Sequence, residues 1–261
     1  MSNQKHLALI TGASKGIGKA IAEVLAKKKI DLLLIARSGD VLKNIAEEFA
    51  TKYGVKVNFL AADLSLPNAA ANIKKWCIEN KYDVSILVNN AGYGLWGRFD
   101  TLALSEQKNM MQLNMDTLVE MTYEFLPLLK KQSKAYLLNI SSTAAYQAVP
   151  CLSVYAATKS FVLLFSRGLR YELKKSTVSV TCVCPGATDT SFMDRAGMEA
   201  LKATAAKFNM MPNIVAEKAV EAMFKGKVEV LPGWMNLVSA KLTSFIPKSL
   251  TEKIAGNLYD K

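Results

Sequence analysis

Tyr155 and Lys159 stand four positions apart, so on a helix both side chains leave one face within reach of each other. A free phenol titrates near about 10. An adjacent ammonium favours the phenolate and lowers that value, making the group a better proton donor and acceptor near neutrality. Amphipathic helices also throw up such pairs by chance, so context decides. Ser141-Ser142 ends an apolar run thirteen residues before Tyr155, counting from Ser142, and delivers a hydroxyl toward the same place. Asn114 interrupts a helical stripe of Met110, Met111, Leu118 and Met121. A buried amide there needs partners: a water or backbone carbonyl near the Lys159 ammonium, or simply its own core neighbourhood.

A second constellation is the segment Thr11-Gly12-Ala13-Ser14-Lys15-Gly16-Ile17-Gly18, between a strand-like run and a helical one. Glycines there permit a sharp turn and close backbone approach, while the helix N-terminus offers free amides to a pyrophosphate. A plain packing turn is the other reading. The kinase-type phosphate loop is excluded, because Ala13 and Ala20 occupy positions where it requires Gly and Ser or Thr. After the second strand comes Arg37, where an acid would bond the ribose hydroxyls of NAD. With Lys15 it can clamp a 2′-phosphate by charge-assisted bonds, selecting NADP, unless the two are ordinary surface cations.

These residues need a scaffold that brings strand ends together. Apolar runs alternate with helical periods throughout. Strands are expected at 6–10, 30–36, 55–61, 84–88, 135–140, 178–184 and 227–231. Helices are expected after the glycine turn, from Val41 to Phe49, and at 68–80, 106–131, 153–174 and 215–224. This alternation predicts an α/β doubly wound parallel sheet, a Rossmann fold of about seven strands with helices on both faces, in one domain. Ligands in such sheets sit beyond the strands' carboxyl ends, where strand order reverses.

Composition narrows the function. The 261 residues are 51% hydrophobic and 21% charged, with four Cys and one His. The lone His6 removes hydrolase triads and His-rich metal sites, and no metal is expected. Cys182 and Cys184, at i and i+2 on a strand, face one side as small core residues. Few cysteines and no signal-peptide pattern point to a reducing, cytoplasmic compartment. The net charge of +11 raises nucleic acid, anionic membrane or an acidic carrier as partners. Its clusters, Lys27-Lys28-Lys29, Lys74-Lys75, Lys130-Lys131 and Lys174-Lys175, are assigned to helix ends, where cations complement the helix dipole. No basic-aromatic interleaving marks a nucleic-acid face.

Taken jointly, TGASKGIG at 11–18, NNAG at 89–92, Asn114, Ser142, Tyr155-x-x-x-Lys159 and Pro185-Gly186 resemble the short-chain dehydrogenase/reductase family over about residues 5–190. The resemblance implies that Tyr155 is the acid/base, that Lys159 orients the ribose and lowers the Tyr155 pKa, that Ser142 binds the substrate oxygen, and that Asn114 holds a proton-relay water. It implies a cofactor, NADP(H), held by Gly12, Ser14, Lys15, Gly16, Ile17, Gly18, Arg37, Asp63 at the adenine, Asn90, Gly92, Tyr155, Lys159, Pro185, Gly186, Thr188 and Thr190. The implied reaction is reversible hydride transfer between NADP(H) and a carbonyl carbon, in a homodimer or homotetramer built partly from the helices carrying Asn114 and Tyr155. A catalytically silent nucleotide sensor or scaffold on the same fold is the alternative.

Two segments are expected to shape the substrate cavity. One is 93–98, with Leu95 and Trp96. The other lies within 187–212 and carries Phe192, Met193, Met198, Phe208, Met210 and Met211. Met-rich linings suit irregular apolar ligands, so a lipophilic ketone is expected, ketoacyl, steroid-like or otherwise bulky; the same residues serve equally as core cover. In the tail, 233–261, Trp234, Leu237, Val238, Leu242, Phe245 and Ile246 keep a helical period up to Pro247, with Lys241 and Lys248 nearby. It is too short to span a bilayer. It can roof the pocket, pack on a second subunit or graze a membrane, the last being the least favoured.

Overall fold

A computed structural model of the chain describes residues 6–199, 209–243 and 246–260. The apolar runs form β1 (Leu7–Thr11), β2 (Asp31–Ala36), β3 (Val57–Ala61), β4 (Ile86–Asn89), β5 (Ala135–Ile140), β6 (Val178–Val183) and β7 (Glu229–Val230). They pair in parallel in the order β3-β2-β1-β4-β5-β6-β7. Every residue of β5 is buried, as is β2 from Leu32 onward; a sheet covered on both faces demands such apolar runs. The doubly wound fold read from the alternation is the fold observed.

The helices are α1 (Gly16–Lys27), α2 (Gly39–Tyr53), α3 (Ala69–Glu79), α4 (Leu104–Met111), α5 (Thr117–Lys130), α6 (Ser153–Glu172), α7 (Phe192–Ala196), α8 (Pro212–Phe224), α9 (Trp234–Leu242) and α10 (Lys248–Tyr259). On one sheet face Ile21, Leu25, Leu42, Phe49, Ala219 and Met223 of α1, α2 and α8 pack into a common core. On the other, Ile73 and Cys77 of α3 meet Met121, Phe125 and Leu129 of α5, and Val162 and Leu163 of α6 meet Cys182 and Cys184. The last two cysteines do face one side, their sulfurs 3.9 Å apart, and all four thiols are free.

Several sequence expectations are corrected. The helix expected over 106–131 is two helices joined by a π-helical turn, Gln112–Asp116; the wider turn carries Asn114, and such insertions cluster at functional sites. Met111 is exposed and does not share the buried stripe of Met110, Leu118 and Met121. Lys74 and Lys75 lie mid-helix in α3, not at its end: Lys74 Nζ pairs with Glu124 on α5 at 2.8 Å, tying the two helices together. β7 shrinks to two residues, since only Glu229 and Val230 find partners on β6. The tail forms two helices, with Pro247 at the N-cap of α10, a position where its missing amide costs nothing. Phe208 and Phe245 lie outside the described residues.

Candidate active site

The order of strands reverses between β1 and β4, and the turns that follow them part to leave a crevice. After β1 the chain turns at Gly12 and Gly16, both with left-handed φ (+65° and +58°), a conformation that only glycine adopts without strain. Gly18 serves differently. A Cβ there would lie 2.3 Å from the Gly12 carbonyl oxygen and 2.4 Å from Asn90 Nδ2, so its bare backbone lets turn and helix close on each other. Buried beneath the turn, Gly18 does not line the crevice, unlike the other residues assigned there to a cofactor.

The turn is fastened to the end of β4. Asn90 Nδ2 donates to the carbonyls of Thr11 (2.9 Å) and Gly12 (3.2 Å), while Thr11 Oγ1 accepts from the amides of Asn90 and Ala91. Asn90 thus braces the glycine turn as well as lining the cavity. Below it Asn89 Nδ2 donates to Thr122 Oγ1 and Asn139 Oδ1, and Asn139 Nδ2 to Ser166 Oγ. This buried polar ladder links β4, β5, α5 and α6 under the site.

Ser142 lies two residues beyond β5 and caps a short 3-10 turn, Thr143–Tyr146, accepting from the Ala144 amide at 3.1 Å. Its hydroxyl lies close enough to that of Tyr155 to favour the phenolate. Tyr155 and Lys159 project from the first two turns of α6, both buried, and the ammonium lies 5.8 Å from the phenol ring centroid. Lys159 Nζ donates to the Ile140 carbonyl at 3.1 Å. Ser141 Oγ donates to the Lys159 carbonyl at 2.7 Å, pinning that turn of α6 to β5.

Asn114 stands behind this group, not in the cavity wall. Its Oδ1 accepts from the Tyr93 amide at 3.0 Å, and its Nδ2 donates to the Tyr93 carbonyl at 2.9 Å and to Thr158 Oγ1 at 3.0 Å. Its partners are therefore the chain after β4, including a backbone carbonyl as expected, and Thr158 of α6. Gly92 keeps this corner open, since a Cβ there would meet Asn114 Oδ1 at 2.8 Å and Lys159 Nζ at 3.5 Å.

The electrostatics depart from the sequence expectation. Burial pushes the Tyr155 phenol up to about 12, against the opposing influence of Ser142. Burial also pushes the Lys159 ammonium down, to about 8. Both shifts have one cause, removal of the charged form from water. Asp63 at the far end is held low by hydrogen bonds from the Ser65 hydroxyl and amide, with Arg37 and Arg195 adding attraction.

One cavity of about 1430 Å³ joins these parts. That exceeds the roughly 300–1,000 Å³ of a pocket for one small ligand, leaving room for a dinucleotide beside a substrate. It runs from Gly12, Ser14, Lys15, Gly16 and Ile17, past Arg37, Asp63, Asn90 and Gly92, to Ser142, Tyr155 and Lys159. Pro185, Gly186, Thr188 and Thr190 line its other side, and Thr190 Cγ2 closes over Gly16, 3.2 Å from where a Cβ would stand.

Sequence reasoning missed three contributors. Arg195 on α7 lies 4.0 Å over the Tyr93 ring and faces Arg37 and Asp63 across the cavity; only its place in a presumed covering segment hinted at this. Thr158 relays Asn114 to the Tyr155 carbonyl. Tyr259 lines the catalytic end and packs with the cluster holding Tyr155, its carbonyl accepting from Trp96 Nε1 at 2.9 Å. No spacing rule joins residues 163 positions apart.

Comparison with known proteins agrees with this architecture. Residues 6–200 match the family model for short chain dehydrogenase. A very-long-chain 3-oxoacyl-CoA reductase of Rattus norvegicus is 30% identical over 239 residues, covering 87% of this chain and 76% of that protein. The Danio rerio very-long-chain 3-oxoacyl-CoA reductase-A is 34% identical over 182 residues, 68% of this chain; the chain spans only 56% of that relative's length. A short-chain dehydrogenase from Sphingobium yanoikuyae, solved in complex with NADPH, superposes with a TM-score of 0.80 at 30% identity, over 94% of this chain and 97% of that one. A glycine turn braced by Asn90, opposite a buried Ser142, Tyr155 and Lys159, on a sheet of this order and with these relatives, has one reading: the chain belongs to the short-chain dehydrogenase family of oxidoreductases.

Proposed function

We propose that the protein is an NADPH-dependent carbonyl reductase, running reversibly as an alcohol dehydrogenase, on a lipophilic ketone or secondary alcohol. The observation that carries this reading is the convergence of Ser142, Tyr155 and Lys159 on the wall of the one cavity that also contains the glycine turn.

The bound reduced nicotinamide supplies the hydride. Ser142 and Tyr155 present two hydroxyls to the substrate carbonyl oxygen, so charge developing there meets donors already in place. Tyr155 gives that oxygen its proton. A phenol held near about 12 is fully protonated at neutrality and is a donor in the reducing direction. Lys159, with its backbone pinned by Ser141, places a positive charge where it stabilises the phenolate left behind. Asn114 holds Tyr93 and Thr158 around it.

NADP is favoured over NAD by Arg37 at the end of β2, where no carboxylate is offered to the ribose, and by Lys15 in the turn, both lining the cavity. The NADPH complex of the Sphingobium yanoikuyae relative agrees. The lipophilic substrate is supported by Val149, Leu152, Phe192, Met193 and Met198 around Tyr155, within the covering segment 187–212 and its surroundings. Relatives named as 3-oxoacyl-CoA reductases make 3-oxoacyl thioesters the first class to try. A homo-oligomer through α5 and α6 is supported by exposed Tyr123, Phe161, Leu164 and Tyr171, and a cytoplasmic site of action by four free thiols.

Purified protein mixed with NADPH and a panel of 3-oxoacyl thioesters, steroids and bulky aryl ketones tests the reading. Loss of the reduced-nicotinamide absorbance is expected with at least one class. Tight NADPH binding with no turnover across the panel would favour a nucleotide sensor instead.

A further inference from the structure

The proton and hydride chemistry leaves the Arg195 side chain without a task. It projects from α7 into the cavity wall, and its guanidinium carbon lies 4.0 Å from the centroid of the Tyr93 ring. That ring is a fixed platform. Tyr93 is buried, its amide and carbonyl are held by Asn114, and its hydroxyl donates to the Glu106 carbonyl at 3.4 Å. α7 is fixed as well. The Trp96 amide donates to the carbonyl of Ala196, the residue after Arg195, at 2.9 Å, and Phe192 of the same helix packs on Tyr155 with ring centroids 5.4 Å apart. The cation is therefore in place before any ligand arrives.

A guanidinium lying over an aromatic face keeps its N–H edge free for an acceptor. Among the described residues Arg195 forms no ion pair with a carboxylate. Asp63 attracts it, but Asp63 Oδ1 is already engaged by the hydroxyl and amide of Ser65, at 2.6 and 3.0 Å. Burial, and after it repulsion from Arg37, hold Arg195 below its ordinary pKa. Of the charged groups lining the cavity, Lys15, Arg37, Lys159 and Arg195 outnumber Asp63 and Glu106. Cations set toward one space without enough carboxylates to pair them make a site for an anion.

We propose that Arg195 is a further cofactor-binding residue, whose guanidinium donates to a phosphate of the bound dinucleotide. This role rests on the dinucleotide reading and not on which carbonyl is reduced. Two phosphate sources exist in such a cofactor, the pyrophosphate common to NADPH and NADH and the 2′-phosphate of NADPH alone. Both suit a fork of N–H donors. Because Arg195 and Phe192 belong to one short helix, the contact also holds the apolar cover over Tyr155.

Calorimetric titration of the purified chain with NADPH and with NADH reads the contact without turnover. Arg195→Met keeps an apolar stem on Tyr93 and removes the charge, so it should weaken NADPH binding by about tenfold or more, the scale of one charge-assisted contact. Arg195→Lys returns the charge without the fork and should recover part of the loss. A loss confined to NADPH assigns the 2′-phosphate, and an equal loss with both cofactors assigns the pyrophosphate; either supports the role. Melting curves of the ligand-free variants should match that of the parent, since the side chain is exposed. Full affinity for both cofactors in Arg195→Met overturns the proposal, and so does a fall in affinity matched by a fall in melting temperature, which would make Arg195 a packing residue of α7. A parent that binds neither dinucleotide sinks this role together with the cofactor reading. NADPH bound through Arg195 with no carbonyl reduced would sink the reductase reading and leave this role standing.

Discussion

Asn114 and Tyr93 hold each other through two hydrogen bonds, amide to Oδ1 at 3.0 Å and Nδ2 to carbonyl at 2.9 Å. The side chain imitates a strand edge and satisfies the backbone of the segment that leaves β4, while its third bond, to Thr158, reaches α6. One buried amide therefore sets the distance between the crevice wall and the helix of Tyr155. Asn114→Leu leaves the Tyr93 amide and carbonyl without these partners. We expect a loss of about 2–4 kcal/mol in stability, measured by urea denaturation, and a lower kcat. Retained stability would show that water replaces the side chain.

Tyr155→Phe removes the hydroxyl that stands beside Ser142 and nothing else of size. Turnover should fall by at least about a hundredfold, the usual range for a general acid, while NADPH still quenches protein fluorescence. Normal turnover would assign the proton to another group.

Gly18→Ala puts a methyl group into the space occupied by the Gly12 oxygen and Asn90 Nδ2. The opposing atoms are backbone and a side chain engaged in two bonds, so relief requires moving the glycine turn. NADPH affinity should drop sharply, with a destabilisation of about 1–3 kcal/mol. Calorimetric titration and a thermal melt read both; an unchanged Kd would mean that the turn carries no ligand.

Lys159 should contribute stability that grows as pH rises from about 8 toward about 10.5, opposed above about pH 9 by buried thiols such as Cys77, which burial pushes up to about 12. Lys159 is pushed down to about 8 by burial from an ordinary 10.5, so across that window the unfolded chain binds more protons than the folded one, and stability climbs with pH. The gain is on the order of 3 kcal/mol. Tyr155, raised to about 12 from 10, acts oppositely above pH 10, where the folded state keeps a proton that the unfolded chain sheds. The difference between the parent and Lys159→Met in denaturation at pH 7.5 and at 10 reads this contribution, the variant gaining less or losing more over the interval; an equal change in both would place the titration elsewhere.

Arg37→Asp exchanges a guanidinium for the acid that a ribose diol accepts. The ratio of kcat/KM for NADPH over NADH should fall by roughly tenfold or more, the scale of one charge-assisted contact. A constant ratio would transfer phosphate reading to Arg195, which faces Arg37 across the cavity.

Much of this molecule is written locally. Glycines at 12 and 16 announce a turn with left-handed φ, continuous apolar runs announce strands buried on both faces, and four-residue spacing places Tyr155 and Lys159 together on α6. Each is a property of a few consecutive residues, and each folds as its neighbours dictate. Long-range closure is different. Tyr259 reaching the catalytic end, Arg195 reaching the Arg37 side and Asn114 choosing Tyr93 depend on where whole helices come to rest. Ionisation is different too: the phenol's direction was set by burial, which no spacing reveals, and which outweighed the opposing influence of Ser142. The amphipathic pattern of the tail was plain in the sequence, but a pattern has no sign. Only packing decided that Trp234, Val238, Leu242, Ile254 and Leu258 line the cavity, while the small residues Ala240 and Ala255 are buried.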